Sequence, residues 1–294
     1  MSDGTITLEA RGRVRRRKFK NRVAEALATI AAFLAVGVLA AVVIAVLLRG
    51  LPALNLSLFT DVQSPFGETG GGVAHAIVGT IVLVTLATLI ALPFGVMVAI
   101  YVTEFARPSV AQPIRLALDV LNGVPSIVIG VFVFALIVQP LHAQSGWAGA
   151  FALAIVMLPL VSRATMEVLE LVPSALREAG FALGVSRWRI VLRVVFPTVL
   201  GGVATGAVLA VARAAGETAP LLFTSSLYAN TVSFDPGQPL ASLPVTIFIY
   251  SEAPDQTLND QAWAAALILM AFVLVLSVTA RAALARSRRR IEGR

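Results

Sequence analysis

Cysteine is absent from this 294-residue chain, which excludes a disulfide framework, a thiolate nucleophile and any cysteine-based metal site. Histidine is nearly absent as well. His75 and His142 are the only two, each near the end of an apolar segment, and no metal ligand set is expected. No glycine–lysine pair occurs anywhere, so the chain has no Walker-type phosphate loop. Any ATP-driven work therefore needs an ATPase on another chain, and no catalytic constellation is expected on this one. Charge is also scarce: 13% of residues are charged, against about 25% in soluble domains.

What is present is apolar sequence, 58% of the chain. A span needs about 20 predominantly apolar residues to cross hydrocarbon about 30 Å thick. Six stretches meet or approach that length, at 25–48, 73–103, 116–139, 147–171, 198–225 and 262–285. The fold class expected is an all-α polytopic membrane protein with six transmembrane helices. The first stretch is too long for the apolar core of a cleavable signal, and no clear small-residue cleavage site follows it; it is taken as an anchor. The expected division is a basic tail (1–24), a first helix with its outer loop (25–72), a transmembrane domain (73–285) and a second basic tail (286–294).

Orientation follows from lysine and arginine rather than from net charge. The amino-terminal tail holds Arg11, Arg13, Arg15, Arg16, Arg17, Lys18, Lys20 and Arg22, and the carboxy-terminal tail Arg281, Arg286, Arg288, Arg289, Arg290 and Arg294. Arg107 and Arg115 fall between the second and third stretches. Arg163, Arg177, Arg187, Arg189 and Arg193 fall in or near the segment between the fourth and fifth. Residues 226–261 contain none. Both termini are therefore expected in the cytoplasm of a bacterial cell, with the protein in the inner membrane. The basic tails are read as topological signals that also meet anionic lipid, not as a nucleic-acid surface.

The segment EAGFALGVSRWRIVLRVVFP, Glu178 to Pro197, stands out because it lies outside the apolar stretches yet is strongly patterned. Pro173 suits the first turn of a helix and Gly184 the left-handed residue that ends one, so a short helix is predicted over 174–183. Ser186 is placed to cap the next helix. Arg187, Arg189 and Arg193 alternate with apolar residues, as in a helix entering the membrane from the cytoplasmic surface. The segment resembles the EAA loop of permeases in ATP-binding-cassette importers. Glu178, Ala179, Gly184 and Pro197 match its spacing, while Gly180, Val194 and Phe196 depart from it. The resemblance implies the type I permease fold, with residues 173–197 forming a cytoplasmic coupling helix that docks on a separate ATPase through Glu178, Ala179 and Gly184.

The fifth stretch carries Arg213 and Glu217, four residues apart and so on one face of a helix. A charge at mid-membrane costs at least about 2.5–3.5 kcal/mol, so such residues pair with each other or face a pathway. Counting about 1.5 Å per residue from Thr198 places Arg213 near or just beyond mid-bilayer. A guanidinium offers planar, forked donors to a tetrahedral oxyanion. The pair is read as lining a translocation path, or else as a structural ion pair.

The runs GGGVAHAIVGT (70–80), AIYVTEFA (99–106), LNGVPSIVIG (121–130), ARAAGETAPLLFT (212–224) and LPVTIFIY (243–250) are similar to those of the PstA-type permeases of phosphate importers. That resemblance covers most of the chain after residue 70. It implies a subunit that pairs with a homologous PstC-type permease, two PstB-type ATPases and a PstS-type phosphate-binding protein. ATP and magnesium would be used by the ATPase partner, with no cofactor on this chain.

Several backbone features remain open between function and packing. Gly70, Gly71 and Gly72 precede the second stretch and leave either free N–H groups for an anion or a plain turn. Gly123, Pro125 and Ser126 interrupt the third, either lining a wet cavity or making a packing kink. Pro93 and Pro159 are read as kinks. Arg115 with Asp119, and Arg163 with Glu167, have the spacing of pairs within one helix. Residues 226–261 combine Asp235, Glu252, Asp255 and Asp260 with Pro236, Pro239, Pro244 and Pro254, and 243–250 reads as strand-like. This loop is either a docking surface for a binding protein or an ordinary solvated loop.

Because the native chain has no thiol, orientation is directly measurable with single cysteines. A membrane-impermeant maleimide applied to intact cells should label Ser233→Cys and leave Ser2→Cys and Ser287→Cys unlabelled until the membrane is permeabilised. Labelling of either tail from outside would invert the topology.

Overall fold

A backbone in hydrocarbon must satisfy its own hydrogen bonds, and in a single segment only a helix does so. The structure is a computed structural model that describes residues 13–64, 70–226 and 231–291, and the described residues contain helices and no strand. Of the basic tails, residues 1–12 and 292–294 lie outside the described residues. Two compact units are present, residues 1–48 and 49–294. The first consists of helix α1 (Arg13–Gly50) up to Leu48. Its large apolar side chains are exposed on every side, as Phe33, Leu34 and Leu39 show, which is the surface of a helix meant for lipid.

The second unit contains α2 (Ser57–Thr60), α3 (Ala74–Ile100), α4 (Pro108–Gly123), α5 (Ser126–Val133), α6 (Gln139–Leu141), α7 (Gly146–Glu170), α8 (Ser174–Ala182), α9 (Arg187–Ile190), α10 (Phe196–Ala215), α11 (Ala219–Thr224), α12 (Leu243–Glu252) and α13 (Gln256–Ile291). Widened π turns at Tyr101–Phe105, Phe134–Val138 and Val191–Val195 extend α3, join α5 to α6 and fuse α9 to α10. Such turns recur at functional positions in helices.

Among the described residues, five helices are long and apolar enough to cross a membrane: Arg16–Ala53, Ala74–Phe105, Gly146–Glu170, Arg187–Ala215 and Gln256–Ala282. The expected third span is not a straight helix. It is the pair Pro108–Gly123 and Ser126–Leu141, bent by 98°, and it makes a sixth crossing if counted as one. The bend sits at Val124–Pro125, where proline supplies no N–H and disfavours helical geometry in the residue before it. Pro93 and Pro159, by contrast, lie inside helices that continue through them. The fifth crossing also differs from expectation. It begins at Arg187 rather than near 198 and ends at Ala215, because the π turn merges α9 and α10 and Pro220 prevents continuation.

Helix α7 is the centre of the unit. The Ser145 side chain caps it by accepting from Ala148 N–H at 3.2 Å, and its buried face is rich in small residues, among them Gly149, Ala150 and Ala154. Small faces let helices approach closely in lipid. α7 packs along α3 and against α10, with Leu83, Leu153 and Met157 buried in the shared core. The segment 226–261 is no simple solvated loop. Leu240, Leu243, Val245 and Tyr250 are buried, and the strand-like 243–250 run is the helix α12, whose Leu243 N–H donates to the Thr80 hydroxyl at 2.8 Å. Asp235, Glu252 and Asp260 remain exposed. At the same end, the Arg49 guanidinium stacks 4.9 Å from the centre of the Trp263 ring.

The short-range charge pairs expected within helices are exchanged between helices. Arg115 of α4 pairs with Glu170 of α7 at 2.6 Å, and Arg163 of α7 pairs with Asp119 of α4. The bend lays α4 across α7, so partners on facing helices come nearer than those a turn away on the same one.

A close backbone approach joins α5 and α11. A Cβ built on Gly130 of α5 would lie 2.7 Å from Pro220 Cα and 3.1 Å from its carbonyl oxygen in α11. Backbone cannot yield as a side chain does, so only glycine fits there. Gly130→Val should therefore lower stability by about 1–3 kcal/mol, whereas Gly37→Ala, facing open space, should change it by no more than about 1 kcal/mol. Thermal unfolding in detergent compares them.

Candidate functional site

The pair singled out by sequence lies where α10 stops. Arg213 occupies the last turn of α10, because the helix ends at Ala215, sooner than the expected stretch to 225. Gly216 and Glu217 follow with tight bonds, Gly216 N–H to Arg213 O and Glu217 N–H to Ala214 O, both 3.1 Å. Thr218 O then accepts from Leu221 and Leu222 to open α11. Glu217 is thus outside the helix, yet its Oε1 stands 3.7 Å from Arg213 Nε. That separation suits electrostatic attraction and is too long for a hydrogen bond. Arg213 is 60% exposed and Glu217 15%. Among the described residues the Arg213 side chain makes no hydrogen bond, so its five N–H donors are unspent.

Arg213 opens on a pocket of about 340 Å³ lined by Asn122, Arg163, Glu167 and Arg213, with an apolar floor from Pro159, Leu160, Leu209 and Ala210. The polar groups arrive from three elements: Asn122 from the end of α4, Arg163 and Glu167 from α7, Arg213 from α10. Arg163 and Glu167, read from sequence as a structural pair, are pocket-lining instead, and Arg163 is held by Asp119. Two guanidinium groups, each with a carboxylate beside it, can attract an anion without holding it irreversibly. The rule that flagged Arg213, a charge inside an apolar run, applies equally to Arg163 and Glu167. Asn122 gave no such signal.

Gly123 and Ser126 flank the α4–α5 break next to Asn122, and a Cβ on Gly123 would meet nothing within 4 Å. Gly71 and Gly72 belong elsewhere. Gly70 and Gly71 take positive φ values of 112° and 82°. The N–H groups of Gly72, Val73 and Ala74 donate to the carbonyls of Val62, Leu58 and Asp61 at 3.0, 2.9 and 3.1 Å. Gln261 clamps the Gly70 carbonyl at 2.8 Å. The Gly72 amide is thus spent on a neighbouring carbonyl, as the plain-turn alternative expects.

The second patterned segment forms as spaced. α8 spans Ser174–Ala182 and ends at Gly184, φ 69°. Val185 N–H bonds to Gly180 O at 3.1 Å and Gly184 N–H to Phe181 O at 2.9 Å, the paired bonds of a Schellman cap. Ser186 stands at the next cap position, but its carbonyl accepts from Arg189 and Ile190 while its side chain makes no cap bond. Gly180, where the EAA pattern has alanine, is filled by Ile190, whose Cδ1 would lie 2.8 Å from an added Cβ. Glu178, Ala179, Phe181, Leu183 and Trp188 are exposed, and α8 buries no residue.

The helix ahead of the cap is anchored by a group that sequence reasoning passed over. Arg177 Nη2 lies 2.5 Å from Glu104 Oε1, and its Nε lies 3.2 and 3.1 Å from the two carboxylate oxygens. It also donates to Val172 O at 2.7 Å and Leu169 O at 3.1 Å. Hydrogen bonding to Glu104 pushes the Arg177 pKa upward, against a smaller opposing effect of burial. In sequence Arg107, three residues on, was the nearer opposite charge to Glu104, so spacing gave no sign of Arg177.

The second unit thus combines long apolar helices, an exposed short helix and an arginine-lined pocket. Residues 91–292 match the family described as binding-protein-dependent transport system inner membrane component, and the chain belongs to that family. It is 41% identical to the phosphate transport system permease protein PstA of Pasteurella multocida, over 90% of this chain and 94% of the relative. Identity to the PstA protein of Yersinia pestis is 39%, over 98% and 97%. A bacterial alginate ABC transporter, solved in complex with an alginate pentasaccharide-bound periplasmic protein, shares the fold with a TM-score of 0.63 at 13% identity, covering 92% of this chain and 96% of that one.

The Schellman cap is testable by itself. Gly184→Val should strain the left-handed residue by about 1–2 kcal/mol and speed amide exchange at 184 and 185, while Gly184→Asn should leave exchange close to that of the native protein.

Proposed function

We propose that this chain is a PstA-type permease subunit that passes inorganic phosphate inward through an ATP-driven importer. The carrying observation is Arg213: an exposed guanidinium with unspent donors, at a break in α10, facing a pocket that holds a second arginine. Relatives described as phosphate transport permeases, matched over nine-tenths of the chain or more, support phosphate as the cargo.

In this reading the α8 end and both termini are cytoplasmic, as the arginine distribution requires. The pathway half-site consists of Arg213 and Glu217 with Arg163, Glu167 and Asn122. A PstC-type permease completes it, and residues 73–285 are the transmembrane domain. The exposed face of α8, with Glu178, Ala179 and the Gly184 cap, docks on a PstB-type ATPase that binds ATP and magnesium. A PstS-type protein delivers phosphate at the other end, as the periplasmic protein bound by the alginate transporter suggests. The exposed acids of 226–261 repel a free anion, which favours delivery by a docked protein.

The chemistry of the half-site fits a cargo that must leave again. Forked donors meet tetrahedral oxygens, while neighbouring carboxylates keep the complex weak enough for onward transfer. Glu167 also distinguishes anions. Phosphate near neutral pH keeps a hydroxyl that a carboxylate accepts, whereas sulfate has none.

The test is radiolabelled phosphate uptake into vesicles containing this chain and its permease, ATPase and binding-protein partners, with sulfate as competitor. Uptake should require ATP and binding protein and ignore sulfate. Arg213→Gln should assemble normally and lower uptake by about ten- to a hundredfold, the worth of a charge-assisted hydrogen bond. Normal uptake by that variant would make the ion pair structural, and uptake by this chain alone would indicate a proton-coupled carrier.

A further inference from the structure

Helix α8 is poorly held by packing. It buries no side chain, and its main packing is on α9 and the π turn that follows. Among the described residues, its side-chain hydrogen bonds to the ends of α3 and α7 come from one guanidinium. Arg177 joins three places at once: the Glu104 carboxylate in the π turn that ends α3, the Leu169 carbonyl in the last turn of α7, and the Val172 carbonyl in the connection to α8. The Glu104 side chain is 4% exposed and Arg177 22%. From the far side of α8, Arg187 stacks on Phe105 of the same π turn, 5.6 Å from the ring centre.

Capping the end of α7 accounts for the two carbonyl bonds and needs nothing more. The carboxylate is additional, and it comes from a different helix. Burying it is unfavourable unless its partner is present, so Glu104 and Arg177 hold each other in place. α3 packs along α7, which lines the arginine pocket through Pro159, Leu160, Arg163 and Glu167. Displacement of α8 therefore has a short rigid route to the pocket.

We propose that the Glu104–Arg177 pair is the strut that converts movement of α8 into movement of α3, making both positioning residues for transport. The proposal rests on α8 being the ATPase-docking element. A strut differs from an ordinary structural pair in what its loss does: assembly and basal ATP hydrolysis persist while their link to the binding protein fails.

The experiment uses the complete importer in proteoliposomes and reads ATP hydrolysis with and without binding protein, together with phosphate uptake. Glu104→Gln and Arg177→Lys should keep basal hydrolysis and lose about tenfold in stimulation by binding protein, the range of an ordinary coupling free energy. Since the native chain has no thiol, a double Glu104→Cys/Arg177→Cys variant can be bridged by a reducible bifunctional thiol reagent of matching length. Bridging should restore stimulation, and a reductant should remove it again. Native stimulation in assembled Glu104→Gln would overturn the strut. If that variant fails to assemble, the bridged double-cysteine protein decides, and no gain over its unbridged form overturns it equally. The stimulation ratio is independent of cargo, so a native complex that hydrolyses ATP but moves no phosphate would count against the phosphate reading and leave the strut to be judged on the ratio.

Discussion

The interior of a bilayer offers no hydrogen-bond partner to a peptide group, and the rest of this structure depends on that constraint. It forces helix wherever the chain crosses, so a place where a helix stops must be covered by protein or by a wet cavity. One such place lies inside a candidate crossing, at 124–126, and another helix stop, at 216–218, directly follows one; the candidate pocket lies beside both. Asn122 precedes the first break and Arg213 the second. The helix stops place polar side chains at helix ends, where the backbone turns with short-range bonds of its own.

Much of this was legible beforehand, for reasons that differ from element to element. Long apolar runs announced the crossings because hydropathy reports the solvent directly. The α8 cap was legible because the left-handed conformation at Gly184 is a local property of one residue. The start of the fifth crossing was not, since nothing in the Arg187–Val195 run reveals that a π turn will fuse it to the helix that follows. The 243–250 run misled for a related reason: its β-branched and aromatic residues match a strand, but burial among helices decides its state.

Charge partners were the least legible part. Spacing along one helix suggested Arg115 with Asp119 and Arg163 with Glu167, and the structure pairs each arginine across the α4–α7 contact instead. An i,i+4 rule describes an isolated helix. It loses to tertiary contact once a bend lays a second helix alongside. The same limit hid Glu104, whose partner is 73 positions away, and it brought Arg163 into the pocket despite a spacing that looked purely structural.

The contact between Gly130 and Pro220 reaches beyond local fit. With no side chain between them, α5 and α11 meet backbone to backbone, so two interrupted helices share one seam and lose the freedom to shift independently. Backbone lying this close at Gly130 means that a shift of α5 toward α11 meets Pro220 directly, with no side chain between them to absorb it.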